Sequence, residues 1–89
     1  MDISTWLKTA TKQLKDVGIP TARLDAELIL SHSLRKPRTF LHAHLDDELD
    51  LRRHEIANAR LQLRSERVPL AYITGHKEFY GRTFKVSPA

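Results

Sequence analysis

Apolar residues recur at helical spacing over most of this 89-residue sequence, and that periodicity limits its possible folds more than any other feature. One set, separated by steps of four and three residues, comprises Ile3, Leu7, Ala10, Leu14 and Val17. This spacing is typical of one helix face. It predicts a first helix that is capped by Ser4 or Thr5 and ends before Gly18. Trp6 lies beside the apolar face and is expected in the core.

The second predicted helix, residues 22–34, is apolar over more than one face. A helix with such a wide apolar arc is contacted from several sides, so we expect it at the centre of a bundle. Its Arg23 and Glu27 are one turn apart and are expected to pair. Asp25 has no second carboxylate at a fixed spacing. We therefore interpret it as a partly exposed carboxylate that bonds a neighbouring helix or an arginine, and not as an acid–base group.

Two further helices are predicted on either side of an acidic connector. The first is short and covers residues 37–44, because proline suits the first position of a helix. The connector, residues 45–50, supplies aspartates that can cap the next helix. That helix covers residues 51–66. Its predicted core face comprises Ile56, Ala59 and Leu63.

A group of arginines is the most distinct charged feature of the fourth helix. Its members are Arg53, Arg60, Arg64 and Arg67. At about 100° per residue they fall within an arc of about 60°. Guanidinium groups in this arrangement could bind phosphate or an acidic protein surface. The alternative is a solvated helix face with Glu55 and Glu66 as partners, and the residues alone favour that alternative.

The pattern changes between residues 68 and 86. Pro69 suits the start of a short helix, and Gly75 suits its end. The residues after Gly75 favour strands, and a turn at residues 81–82 would place an aromatic pair and an opposite-charge pair across a hairpin. The sequence thus predicts a mostly α fold. It is a small five-helix bundle, made of four helices plus one short helix, followed by a β-hairpin linker.

The end of the sequence suggests that the chain continues. An isolated hairpin is marginally stable in water, and nothing follows the second predicted strand except Ser-Pro-Ala. We therefore expect a longer protein beyond Ala89. A monomer is expected, although an exposed hairpin edge would allow two chains to pair.

Composition excludes several classes of protein. The sequence has no cysteine, which excludes disulfides and thiolate metal sites. It has no apolar run of about 20 residues and no signal peptide, so a cytoplasmic protein is expected.

His42 and His44 are two residues apart, which does not suit a shared metal ion on a helix. The net charge of +4 and the pI of 9.8 favour an acidic partner, or represent ordinary solubility charge.

Three segments together resemble a known family. Residues 64–86 follow the pattern Arg-x-x-x-x-Pro-x-x-Tyr-Ile-x-Gly-x-x-Glu-Phe-Tyr-Gly-x-x-Phe-x-Val. Residues 22–30 read Ala-Arg-Leu-Asp-Ala-Glu-Leu-Ile-Leu, and residues 38–41 read Arg-Thr-Phe-Leu. These segments resemble the region before the catalytic domain of HemK/PrmC-type methyltransferases. Those enzymes methylate the glutamine side-chain amide in the Gly-Gly-Gln motif of peptide-chain release factors.

The resemblance implies a division of labour between this chain and a missing domain. It implies that residues 1–75 are a helical substrate-recognition domain and that residues 76–89 lead to a catalytic domain absent from this chain. The family's donor is S-adenosylmethionine, but its Gly-rich cofactor loop and Asn-Pro-Pro-Tyr motif do not occur here. The resemblance therefore implies no catalytic, cofactor-binding or metal-binding residues in this segment. It makes a release factor the expected partner. The candidate docking residues are Arg53, Arg60 and Arg64.

Other functions remain open at this point. A sister methyltransferase that modifies a glutamine on a ribosomal protein would share these segments. A small basic nucleic-acid-binding bundle would use the arginines, but the sequence has no clear helix-turn-helix pair and no exposed aromatic platform. A structural interaction domain without activity is the third alternative. No membrane association is expected.

Overall fold

The computed structural model describes residues 1–74, which contain five helices. They are α1 (Ile3–Asp16), α2 (Ala22–Leu34), α3 (Arg38–Ala43), α4 (Leu51–Ser65) and α5 (Leu70–Thr74). The predicted mostly α, five-helix fold is confirmed. Within residues 1–74 no strand forms, although Asp2 and Glu48 make an isolated antiparallel bridge. The β-hairpin predicted for residues 76–89 lies outside the described residues and stays a prediction.

Helix α2 is the centre of the bundle, as its wide apolar arc predicted. It contacts each of α1, α3, α4 and α5. Small residues on one side, Ala22 and Ala26, are buried together with Ile29 and Leu30. Helices cover α2 on several sides, so its apolar residues are not confined to one face.

The core draws its largest side chains from α1, α2 and α3. The fully buried ones are Ile3, Trp6, Leu7, Leu14, Ile29, Leu30 and Leu41. The predicted inward face of α1 is therefore confirmed from Ile3 to Leu14. Trp6 is a core residue as predicted, and its indole Nε1 donates a 2.9 Å hydrogen bond to Asn58 Oδ1 on α4. This bond satisfies the indole N–H of a residue that is otherwise buried among apolar groups.

Aspartates cap α1 and α4. The carboxylate of Asp2 accepts a 2.8 Å hydrogen bond from the Thr5 backbone N–H, and that of Asp50 accepts one of 2.7 Å from Arg53. The predicted cap of α1 at Ser4 or Thr5 was wrong by two or three residues. A carboxylate both accepts the N–H and interacts favourably with the positive end of the helix, so Asp2 is the better cap.

The inward face of α4 differs from the prediction. Ala57 and Leu61 are buried and the predicted Ile56 is half-buried, whereas Leu63 is 43% exposed and Ala59 is also exposed. The buried face thus lies on the side that carries the arginines. Arg53, Arg60 and Arg64 deliver their guanidinium groups to polar atoms of α2. Arg67 instead bonds the Val17 carbonyl at the end of α1. Apolar spacing alone missed this because it treats arginine as a solvent-facing residue.

Glu27 joins α2 to α3. Its carboxylate is buried and accepts hydrogen bonds of 2.9 Å from Arg23 Nε and 2.9 Å from Arg38 Nη2. The predicted pair of Arg23 and Glu27 is confirmed, and Arg38 was not foreseen. Burial opposes ionisation of this carboxylate, but the hydrogen bonds from the two arginines outweigh burial and lower the pKa of Glu27.

The lowered pKa of Glu27 predicts a pH dependence of stability. An unfolded chain has an ordinary glutamate pKa of about 4.3. Because the folded value is lower, the contribution is complete above that pH and is lost as the pH falls through the folded pKa. We expect Glu27→Gln to be less stable than the wild type at neutral pH and to lose less stability on acidification. Denaturant unfolding between neutral and acidic pH measures this.

The control for this prediction is Glu55→Gln, since Glu55 is an exposed residue of α4. Its pH profile should match that of the wild type. Identical profiles for Glu27→Gln and the wild type would show that Glu27 contributes nothing through its charge.

Candidate docking groove

An open groove of about 490 Å³ lies where the C-terminal end of α2 meets α4 and the end of α5. We call it the basic groove. Its lining includes Ser31, His32, Arg35, Lys36, Arg60 and Thr74. Arg35, Lys36 and Arg60 carry positive charge at neutral pH, and no carboxylate occurs among the described residues of the lining. The groove is therefore suited to an anionic group.

The end of α2 places two of these cations. Arg35 has left-handed backbone angles, with φ 58° and ψ 43°. Its N–H bonds the His32 carbonyl at 3.2 Å, and the N–H of Lys36 bonds the Ser31 carbonyl at 3.0 Å. This pair of bonds is a Schellman motif, which usually has glycine in the left-handed position. Here an arginine occupies it and carries a side chain that lines the groove.

Arg60 reaches the groove from α4, and its guanidinium group is positioned by Ser33 of α2. It is half-buried, and its Nη1 donates a 3.3 Å hydrogen bond to Ser33 Oγ. Ser33 in turn donates a 2.8 Å bond to the Ile29 carbonyl within α2. A guanidinium group has five N–H donors. The single bond to Ser33 thus orients Arg60 and leaves it the donor capacity to bind a ligand.

Arg53 and Arg64, predicted together with Arg60, do not line the basic groove. Arg53 Nη1 donates a 3.2 Å bond to the Leu34 carbonyl, and the side chain borders a neighbouring hollow of about 140 Å³. Arg64 Nε donates a 2.9 Å bond to the buried carboxylate of Asp25, and its Nη1 bonds the Val68 carbonyl at 3.1 Å. The interpretation of Asp25 as a partner of an arginine is confirmed, but its expected partial exposure was wrong, since Asp25 is buried. The role of all three arginines in docking remains a proposal.

Sequence reasoning missed Arg35 and Lys36. The adjacent Pro37 indicated only where the next helix begins. A pair of cations directly after an apolar helix, with no glycine at its end, is a pattern that indicates exposed positive charge beside the last carbonyls. Lys36 Nζ lies 5.3 Å from the centre of the Phe40 ring, and this cation–π contact favours a position of the ammonium group near α3.

A second groove, of about 290 Å³, separates α1 from α4. Its polar side chains are mostly amides, including Gln13, Asn58 and Gln62. Each of these amides already makes a side-chain hydrogen bond within the chain: Gln13 to Ser65, Asn58 to Trp6 and Gln62 to Glu66. These amides are uncharged and each is already oriented by a contact within the chain, so the basic groove, with its three cations, is the better candidate for a charged partner.

His42 of α3 and His44, which directly follows α3, make contacts other than a shared metal site. His44 stacks on Phe40 with ring centres 4.0 Å apart, and its Nδ1 lies 2.9 Å from Asp47 Oδ2. His42 lies 3.6 Å from Glu27. Nowhere in residues 1–74 do three His, Asp or Glu side chains come together as metal ligands. In the same part of the chain, no helix is long and apolar enough to span a bilayer.

Comparison with known proteins relates this chain to one family. The model of the PrmC N-terminal domain family matches residues 5–75. A release factor glutamine methyltransferase of Koribacter versatilis is 38% identical over 89 residues, which cover 100% of this chain and 32% of that protein. The enzyme of the same name from Salmonella typhimurium is 39% identical over 90 residues, covering 100% of this chain and 31% of that protein.

A third relative belongs to a longer type of protein. A bifunctional methyltransferase of Rickettsia conorii is 38% identical over 81 residues, or 91% of this chain and 16% of that protein. The chain thus spans less than one third of the length of each of these three relatives. No solved structure matches the chain significantly.

Proposed function

This chain belongs to the PrmC N-terminal domain family, and we propose that it is the substrate-recognition domain of a release factor glutamine methyltransferase. The observation that carries the proposal is the family match over residues 5–75, together with relatives of that name that are 38% and 39% identical over the whole chain. These names favour a release factor over a ribosomal protein as the substrate. In this proposal residues 1–75 hold the release factor, and residues 76–89 lead to the catalytic domain.

The proposed enzyme acts in the cytoplasm on the glutamine of the Gly-Gly-Gln motif. S-adenosylmethionine supplies the methyl group to the side-chain amide nitrogen of that glutamine. An amide nitrogen is a poor nucleophile, so correct placement of the substrate can supply several kcal/mol of the barrier. A separate domain that binds a remote part of the release factor adds binding energy to that placement. The described residues fit such a role, since they form a helical bundle that carries the basic groove on its surface.

The basic groove does not fit the cofactor. The sulfonium group of S-adenosylmethionine is positively charged, and three of the residues that line the groove are cations. The sequence also has no Gly-rich loop of the kind that cradles a nucleotide cofactor between a strand and a helix. We therefore assign no cofactor contact to residues 1–74.

Calorimetric titration of this 89-residue chain tests both parts of the proposal. We expect saturable binding of the release factor and no saturable heat with micromolar S-adenosylmethionine. The two titrations share one protein preparation, so the first shows that the preparation is active when the second is silent. Saturable binding of the cofactor, or no binding of the release factor by a folded chain, would contradict the assignment.

A further inference from the structure

We propose that the basic groove receives a carboxylate-bearing segment of the protein substrate. This inference rests on the proposed function and identifies the surface and the chemistry through which the domain would dock. Carboxylates form charge-assisted hydrogen bonds with arginine and lysine, and arginine can bind them in a bidentate manner. The groove offers two arginines, Arg35 and Arg60, together with Lys36.

The acidic residues of α2 do not neutralise this groove. The Asp25 carboxylate is paired with Arg64, and the Glu27 carboxylate is shared by Arg23 and Arg38. Each buried carboxylate of α2 thus has its own arginine partners away from the groove. The charges of Arg35, Lys36 and Arg60 remain available to a partner.

Arg35 combines an unfavourable backbone conformation with a side chain that makes no polar contact within residues 1–74. Its left-handed conformation costs an ordinary residue roughly 1–2 kcal/mol relative to glycine. The Arg35 side chain makes no hydrogen bond or ion pair with any residue of the described part, 1–74. Hydrogen bonds and ion pairs within residues 1–74 therefore give no reason for an arginine here, whereas binding of an anion would give one.

Residues 75–89 are not suited to occupy the groove on grounds of charge. Residues 75–89 carry three cations, Lys77, Arg82 and Lys85, against the single carboxylate of Glu78. A segment with this charge does not complement the basic groove. Thr74, where the described part ends, lines the groove. An acidic segment of the substrate bound there would lie beside the point at which the chain continues towards the proposed catalytic domain.

A protein carboxylate fits better than a nucleic acid. The neighbouring hollow, which shares Lys36 with the groove, is lined by carboxylates of the connector between α3 and α4: Asp47, Glu48 and Asp50. A nucleic-acid backbone that extended from the groove past Lys36 would meet these like charges. A short acidic segment of a protein can end within the groove and avoid them.

The test uses the complete enzyme and two charge reversals at exposed positions. Arg35→Glu combined with Lys36→Glu should lower the ratio of kcat/KM on the intact release factor to kcat/KM on a short Gly-Gly-Gln peptide by about tenfold. A peptide too short to reach the groove reports only on the catalytic domain. The matched control reverses Lys8 and Arg52, which are also exposed but lie outside the groove, and should leave the ratio unchanged.

A second variant separates binding from stability. Arg35→Gly removes the charge and also relieves the left-handed strain, so it should raise the midpoint of thermal unfolding while weakening binding of the release factor about threefold. Arg67→Gly is the control for binding alone, because Arg67 also has a positive φ of 72° and lies outside the groove, although the change removes the hydrogen bond that Arg67 Nη2 donates to the Val17 carbonyl. That control should bind the release factor as the wild type does.

The outcomes separate this inference from the proposed function. Groove variants that match their controls, in an enzyme that methylates the release factor, would overturn the inference and leave the proposed function intact. A wild-type enzyme without activity on the release factor would overturn the proposed function itself. Duplex RNA binding or self-association that the groove variants abolish would also overturn the inference, since the groove would then serve a nucleic acid or a second copy.

Discussion

Replacement of Arg64 by alanine should destabilise the fold by about 3 kcal/mol. This is the largest loss of stability that we expect from the removal of one partner of an ion pair. The Asp25 side chain is only 6% exposed and that of Arg64 is 20% exposed. Without the guanidinium, the Asp25 carboxylate would keep one bond, from the Thr21 hydroxyl at 3.1 Å. The Val68 carbonyl would also lose its donor. A buried charge without its counter-charge is costly because it has been removed from water.

Denaturant unfolding of Arg64→Ala and of Arg52→Ala measures this effect. Arg52 is exposed on the same helix, and its removal should change stability by less than about 0.5 kcal/mol. In the double variant Asp25→Ala with Arg64→Ala, the loss should be smaller than the sum of the two single losses, because no charge is left unpaired. A loss below about 1 kcal/mol for Arg64→Ala would show that the pair is solvated and that Arg64 is available for docking.

The arginines of α4 have different roles and do not form one docking surface. The sequence placed Arg53, Arg60 and Arg64 on one face and suggested a single docking surface. In the structure Arg64 binds a buried carboxylate, Arg53 bonds the end of α2, and Arg60 lines the basic groove. A loss of activity in an Arg64 variant therefore reports on folding first. The docking test accordingly uses Arg35 and Lys36.

The fold was predictable from the sequence where apolar residues decide the packing. The face of α1 from Ile3 to Leu14 and the central place of α2 follow from the spacing of large apolar side chains. These residues gain most by leaving water, so their pattern determines which side turns inward. The helix boundaries were marked by Gly18, Pro37 and Pro69, which interrupt helices for steric reasons.

The face of α4 was not predictable in this way. Few of its residues are large and apolar, and Ala57 and Leu61 are its buried ones. Its orientation depends instead on where arginines find acceptors on α2, such as Asp25 and the Leu34 carbonyl. Those acceptors lie 39 and 19 residues away along the chain. Local spacing has no information about such distant partners.

The groove was predictable only in part. Arg60 was identified as a candidate because it belongs to a visible group of arginines. Arg35 and Lys36 join it through a left-handed turn at the end of α2, and an arginine in that conformation is not expected from its residue type. Thr74 at the end of α5 also lines the groove, and α5 packs against both α2 and α4. Its shape is thus a property of the tertiary structure.

Removal of residues 1–75 from the proposed full-length enzyme should cause the largest functional effect. We expect kcat/KM on the intact release factor to fall about a hundredfold or more, which corresponds to about 2.7 kcal/mol of lost transition-state stabilisation. The physical reason is that the remote binding energy of the domain, which positions the glutamine, would be lost. Activity on a short Gly-Gly-Gln peptide should change little, because such a peptide does not reach this domain.

The comparison of these two substrates in the enzymes with and without residues 1–75 tests the assignment of this chain most directly. The peptide activity shows whether the shortened enzyme is still folded, and circular dichroism provides an independent check. We expect the loss of kcat/KM to be confined to the intact release factor. Equal kcat/KM on the intact release factor for the two enzymes, with peptide activity retained, would contradict the claim that this domain recognises the substrate.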